Sequence, residues 1–200
     1  MKRYSRSYLL FCLLVLLSVS ACSGLTSSDK PAITKWWLKP YTGLSQVTPP
    51  GPVELVDLSV VAVPGLDTDR ILTLSDDAAL KHYAGARWVD NLPELVTSLL
   101  GRSLEATGRF EILAGRRGTG IENCSLVLEL REFYASLSPG GRTSKVQVAL
   151  NGRYHCESES PLVIQVSASI AVNDDRMEVI VAAFQQAMDS VMKDMLDQLR

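Results

Sequence analysis

The side chains with most chemistry to offer in this sequence are four cysteines and two histidines. Cys12 and Cys22 lie near the N-terminus, and Cys124 and Cys156 lie far downstream. A thiol can be acylated, oxidised to a disulfide or bound to a metal, and compartment and neighbours decide which. His82 adjoins Tyr83 in a β-prone stretch and His155 precedes Cys156. Zinc takes three or four ligands, which two histidines and a bonded cysteine pair do not readily supply, so both histidines are read as surface residues. Asp76-Asp77 and Asp174-Asp175 have the form of paired carboxylates. Both pairs fall in turns, and Asp175 is better placed as a helix cap. The run from Gly115 to Gly120 is glycine-rich but joins two strands. It lacks the strand–loop–helix setting of a phosphate cradle and reads as a surface loop. There is no HExxH, GxSxG, P-loop or CxxC motif. The expectation is a non-enzyme with no cofactor and no metal site.

The N-terminal elements decide the fate of the first two thiols. Lys2, Arg3 and Arg6 precede an apolar run from Tyr8 to Leu17, and Val19-Ser20-Ala21-Cys22 follows. A basic start, a short apolar stretch and small residues at the cut describe an export signal, too short to span a bilayer. Val19 to Cys22 resembles the bacterial lipobox. That implies a signal peptide over residues 1–21, a fatty acid such as palmitate on Cys22, and an outer-membrane anchor facing the periplasm. Ser23 stands where an aspartate would mark retention in the inner membrane. The alternative is an uncleaved apolar anchor with an incidental cysteine. Several acyl chains on one residue anchor firmly, so no spanning segment is needed after Leu17.

Residues 22–32 read as a lipidated tether and 33–200 as a single periplasmic domain, long enough for a proper core. Loss of the three signal cations takes Lys+Arg from 20 to 17 against 22 Asp+Glu, a net charge of −5. A mildly acidic domain offers no electrostatic footprint for nucleic acid or anionic lipid, so partners should be proteins or apolar ligands.

Along that domain, Ile33–Leu38 is β-prone, 41–52 is a loop, and Val53–Val63 is a strand rich in β-branched residues. Arg70–Leu74, Leu80–Tyr83 and Phe110–Leu113 are short strand candidates. Asn91 with Glu94, and Pro93 between them, suggests a capping box. Leu92, Leu95, Val96, Leu99, Leu100 and Leu104 continue as one helical face that Gly108 closes. Asn123–Leu137, Ser144–Cys156 and Leu162–Val172 read as three long antiparallel strands. Asp175, with Glu178, opens a last helix whose stripe includes Ile180, Phe184, Met188, Met192 and Met195. These methionines are read as core, the alternative being an adaptable apolar surface. The fold class is α/β of the α+β type: a mainly antiparallel sheet with a three-strand C-terminal meander and two helices packed on one face.

The meander also places the downstream thiols. In the first strand Cys124, Leu126, Leu128, Leu130 and Tyr134 share one parity, as do Val146, Val148, Leu150, Tyr154 and Cys156 in the second. A three-residue loop, Pro139-Gly140-Gly141, pairs Ser138 with Arg142. In that register every pair of residue numbers sums to 280, so Leu130 faces Leu150, Leu126 faces Tyr154 and Cys124 faces Cys156. Directly opposed Cβ atoms lie about 4.5–5.5 Å apart, close to what a disulfide needs. The alternative is two separate buried thiols. Trp36, Trp37 and Trp88 are candidate anchors for lipid or a partner, with core or edge packing as the other reading.

From about Lys35 onward the chain resembles the ABC-type transport auxiliary lipoprotein family. The residues that carry the resemblance are Trp36-Trp37-Leu38, where the family more often has tyrosines, and Val63-Pro64-Gly65-Leu66-Asp67-Thr68-Asp69-Arg70. Arg87-Trp88 ahead of the first helix completes it. The resemblance implies a non-catalytic envelope component working beside an inner-membrane transporter and a mammalian-cell-entry (MCE) domain protein that carries lipid across the periplasm. It also makes a homo-oligomer attractive, including a ring of identical subunits. A lipid-anchored adaptor for envelope or secretion-pore assembly is the other function class.

Overall fold

The computed structural model describes residues 32–43, 52–113, 123–157 and 159–199. Residues 1–21 read as a signal peptide, Cys22, most of the stretch read as a tether, most of the 41–52 loop and the Gly115–Gly120 run lie outside these residues. Ile33–Arg200 form one compact unit.

Eight strands form one mixed sheet: β1 Thr34–Trp36, β2 Glu54–Ala62, β3 Arg70–Leu74, β4 Leu80–Trp88, β5 Phe110–Ile112, β6 Asn123–Leu137, β7 Thr143–Cys156 and β8 Leu162–Ala171. Two helices join them, α1 Leu92–Glu105 and α2 Met177–Gln198. The sheet is organised around β6, which pairs with β7 on one side along nearly its whole length. On its other side the first half of β6 pairs with β2 and its far end with β3, both in parallel. The antiparallel expectation holds for the meander β6–β7–β8 and for β3 with β4. The parallel pairings of β1 with β4, β2 with β5 and β2 and β3 with β6 come from chain segments distant in sequence.

Alternation decides which face is covered. In β7, Val146, Val148, Leu150 and Tyr154 are buried while Lys145, Arg153 and His155 are exposed. Val56 and Val60 of β2, Leu126, Leu128 and Leu130 of β6, and Ile164 and Val166 of β8 are buried with them. Against that face α1 packs on β2 and β5, and α2 on β7 and β8. Both helices are therefore on one side, and the methionines of α2 from Met188 onward are core. Each such side chain taken fully out of water contributes about 1.5–3 kcal/mol, which sustains a helix layer whose local propensities alone would not.

Three expectations need correction. The hairpin turn forms as read, with Ser138 N–H donating to the Arg142 carbonyl and Gly141 at φ 76°. The register of 280 holds from Cys124–Cys156 to Leu130–Leu150, then slips at a bulge at Arg131. Beyond it Phe133 faces Val148 and Ala135 faces Val146, so Phe133 is wholly buried and Tyr134 is not. One extra residue reverses the inward parity from Glu132 to Ser136, until a second slip between Ser136 and Leu137 restores the sum of 280 at Leu137–Thr143 and at the turn.

The capping box at Asn91 is absent: Asn91 is the N-cap but makes no side-chain cap bond. Asp175 does not cap α2, whose N-cap is Arg176. Its carboxylate instead accepts the Thr143 backbone N–H at 2.7 Å and Arg142 Nε at 3.1 Å, tying the helix entry to the start of β7. The Thr143 N–H holds that carboxyl below its ordinary range.

Candidate docking surface

The three tryptophans separate into distinct roles. Trp88, at the end of β4, is wholly buried, its ring edge-on to Phe133 at 5.6 Å and to Phe184 at 5.2 Å. As a surface anchor it is therefore corrected to a core residue. Its neighbour in parallel register, Trp36 on β1, is half-buried against the same core. Only Trp37 is exposed, at 58%. Arg102 of α1 lies over its ring, 5.3 Å from the centroid, a cation–π contact at an exposed site.

Trp37 stands where it does because the chain just after it is strapped to both helices. Leu38 is wholly buried. Lys39 donates its N–H to Gln185 Oε1 at 2.7 Å and its carbonyl accepts Gln185 Nε2 at 2.9 Å, joining the strap to α2. Tyr41 N–H donates to Ser103 Oγ at 2.9 Å, joining it to α1. Burial of Leu38 and these backbone bonds leave Trp37 nowhere to turn but outward.

The family-like residues prove to be a structural knot. One Nη1 of Arg87 donates to both carboxylate oxygens of Asp69 at 2.8 Å. Trp88 N–H donates to the Asp69 carbonyl and Leu92 N–H to the Thr68 carbonyl. The loop before β3, the end of β4 and the start of α1 are thus held at one point.

Cys124 and Cys156 are joined in a disulfide, with Cα atoms 4.1 Å apart, at the open end of the β6–β7 hairpin. Nearby, the Tyr154 hydroxyl donates to Glu54 of β2, and burial followed by that carboxylate pushes the phenol's pKa up. His82 and His155 are exposed. Among the described residues no group of three or more His, Cys, Asp or Glu side chains is placed to hold a metal ion.

The sheet face away from the helices carries a feature that alternation predicted only in part. Val61, Val127 and Val163 are exposed at 52%, 50% and 57%. They surround a depression of about 350 Å³ with Glu129, Arg131 and Arg153 on its rim. Strand β7 lies close to β6 beside it at Gly152, where a Cβ would lie 2.1 Å from the Val127 carbonyl oxygen, so only glycine allows the approach.

Beside that depression runs β8, a sheet edge ten residues long with no charge, proline or glycine and no register slip against β7. Natural edges are usually shortened, bulged or charged to prevent pairing. The other outer strands, β1 and β5, are three residues each. Val172 N–H bonds inward to Ser144 on β7, and the Gln165 carbonyl points outward to Gln198 Nε2 at 3.2 Å. By ladder alternation the N–H and C=O groups of Val163, Ser167 and Ser169 share the outward side. Exposed side chains signal such a site in sequence only weakly, because a central strand and an edge strand show the same alternation.

Residues 38–196 match the model of a family described as the ABC-type transport auxiliary lipoprotein component. A solved structure of a DUF330 protein from Xanthomonas campestris shares the fold with a TM-score of 0.61 at 18% identity, over 82% of this chain and 91% of that one. A second, of an uncharacterized protein, superposes with a TM-score of 0.67 at 9% identity, over 84% of this chain and 99% of that one. No curated protein is significantly similar in sequence.

Proposed function

Because this chain belongs to the ABC-type transport auxiliary lipoprotein family, we propose that it is the docking subunit of an MCE-type intermembrane lipid transport system. It is held by a fatty acid on Cys22 in the outer membrane, faces the periplasm, and acts by assembly rather than catalysis. It self-associates, in a ring if head-to-tail contacts close, and receives the end of an MCE-domain bridge coupled to the inner-membrane transporter. The observation that carries the docking role is β8: a long neutral edge beside an exposed valine cluster offers main-chain hydrogen bonds and apolar contact to an added strand.

The anchor is tested by fatty-acid labelling. Cys22→Ala should block signal processing and abolish labelling; normal labelling of the variant would remove the lipoprotein reading.

The docking role is tested by light scattering and by recovery of partners on a tagged protein from solubilised membranes. Val163→Lys and Ser167→Pro both alter the outward side of β8, where a proline costs no ladder bond. Each should lower recovery of an MCE-domain protein at least tenfold with the melting temperature little changed. Recovery unaffected by either variant would discard β8 as the docking element. A monomer from which no MCE partner is recovered would favour the envelope or secretion-pore adaptor.

A further inference from the structure

We propose that Trp37 seats the domain on the phospholipid surface in which its own anchor is embedded, so that the sheet stands with β1 at the bilayer and β8 facing away. This rests on acylation of Cys22 and goes beyond it, since an anchor alone leaves the domain free to turn. In and beside β1, Ile33, Thr34, Lys35 and Trp37 are exposed, whereas Trp36 is half-buried and Leu38 buried. Ile33 is 54% exposed and Trp37 is the one aromatic among the large exposed apolar residues described. An outward row of aliphatic, cationic and aromatic side chains suits a membrane interface. The indole sits at headgroup depth, and a lysine lays its stem on the apolar layer while its ammonium stays in water. Arg102, already over the ring, adds a cation at the same place.

The length of chain ahead of β1 identifies the occupant. Ten residues separate Cys22 from Ile33. A peptide of that length reaches at most roughly 35 Å in any conformation, and a random coil of ten residues averages about 18 Å end to end. A domain of this size is about 40 Å across, so the surface at the tether's end is the one held against the bilayer. At the millimolar effective concentration of so short a tether, one weak aromatic contact is enough to orient the domain. The domain's net charge gives no general attraction to anionic lipid, so the seat is apolar and interfacial. Strand order completes the geometry: the path β1–β4–β3–β6–β7–β8 puts β1 and β8 at opposite edges. Seating β1 therefore presents the docking edge to the periplasmic space.

The test uses the mature acylated protein, purified from membranes and reconstituted in vesicles with brominated acyl chains. Tryptophan emission should shift to the blue and fall by about a third in phosphatidylcholine and in phosphatidylethanolamine–phosphatidylglycerol vesicles alike. The Trp37→Phe variant should lose most of that quenching, because Trp36 and Trp88 pack into the protein. Fatty-acid labelling of the same preparation separates the two readings. An unlabelled protein would fail at the anchor. A labelled, vesicle-bound protein whose Trp37 stays unquenched by lipid and open to iodide would overturn the seating while leaving the anchor intact. Quenching confined to anionic vesicles would also overturn it, in favour of a charge-driven contact.

Discussion

Replacing Trp88 by alanine lowers the stability of the folded domain by about 3–5 kcal/mol, the range for truncating a large buried aromatic. The ring is wholly buried and touches the core from both sides. Phe133 comes from β6 and Phe184 from α2, and these two stack on each other at 4.9 Å. Trp88 thus joins the sheet to the helix layer, and its loss leaves a cavity that three elements would have to collapse together to fill. At about 2–4 °C per kcal/mol for a domain of this size, the melting temperature should fall by roughly 10–15 °C. Trp88→Phe separates packing from polarity. Among the described residues the Trp88 Nε1–H has no hydrogen-bond partner, so phenylalanine forfeits volume and no bond. It should cost clearly less than alanine. Trp37→Ala, on the exposed partner of the family-like pair, should change stability by no more than about 0.5 kcal/mol. Thermal melts of the three variants decide it. A Trp88→Ala protein melting within two or three degrees of the parent (roughly 1 kcal/mol) would mean that this ring does not organise the core.

Removing the disulfide comes next in size. Cys124 and Cys156 are 32 residues apart in sequence, and chain-entropy estimates for such a loop give about 3–4 kcal/mol. A β6–β7 hairpin that stays partly ordered in the unfolded ensemble would reduce this, because less freedom remains to be lost. The double variant Cys124→Ser with Cys156→Ser, or the parent under reducing conditions, should therefore melt about 8–14 °C lower. The bond lies at the end of the hairpin opposite the turn, next to the Tyr154–Glu54 contact that fastens β2 to it. Loosening should therefore appear first at the start of β6, where hydrogen exchange of Ser125 and Leu126 would accelerate before that of Phe133. Mass mapping of non-reduced peptides from periplasm-derived protein supplies the prior check. Free thiols at both positions would remove the bond from the account.

Much of this domain was legible in the order of its residues because the information was local. Strand parity in β6 and β7, a Pro-Gly-Gly turn and two cysteines all act within a single hairpin, so their agreement placed Cys124 opposite Cys156 without knowledge of any other element. Helical stripes in α1 and α2 were equally readable, since a 3.6-residue period needs no partner to be visible. What the tertiary structure alone decided involved choices between neighbours. Phe133 rather than Tyr134 faces the core because a bulge at Arg131 adjusts the long β6 to strands on both its sides. The parallel pairings of β6 with β2 and β3 join segments whose alternation is compatible with many partners. Asp175 was free to cap its own helix, yet the Thr143 N–H and Arg142 guanidinium offered it better partners from a strand more than thirty residues away. Trp36, Trp37 and Trp88 are the same residue type in β-prone surroundings. Only the strap that pulls Leu38 inward, and the aromatic cluster that receives Trp88, sort the one available to a surface from the one that holds the core. Sequence marks which side chains prefer to leave water. Which of them find room to do so is settled by the space left between elements that meet only in the folded state.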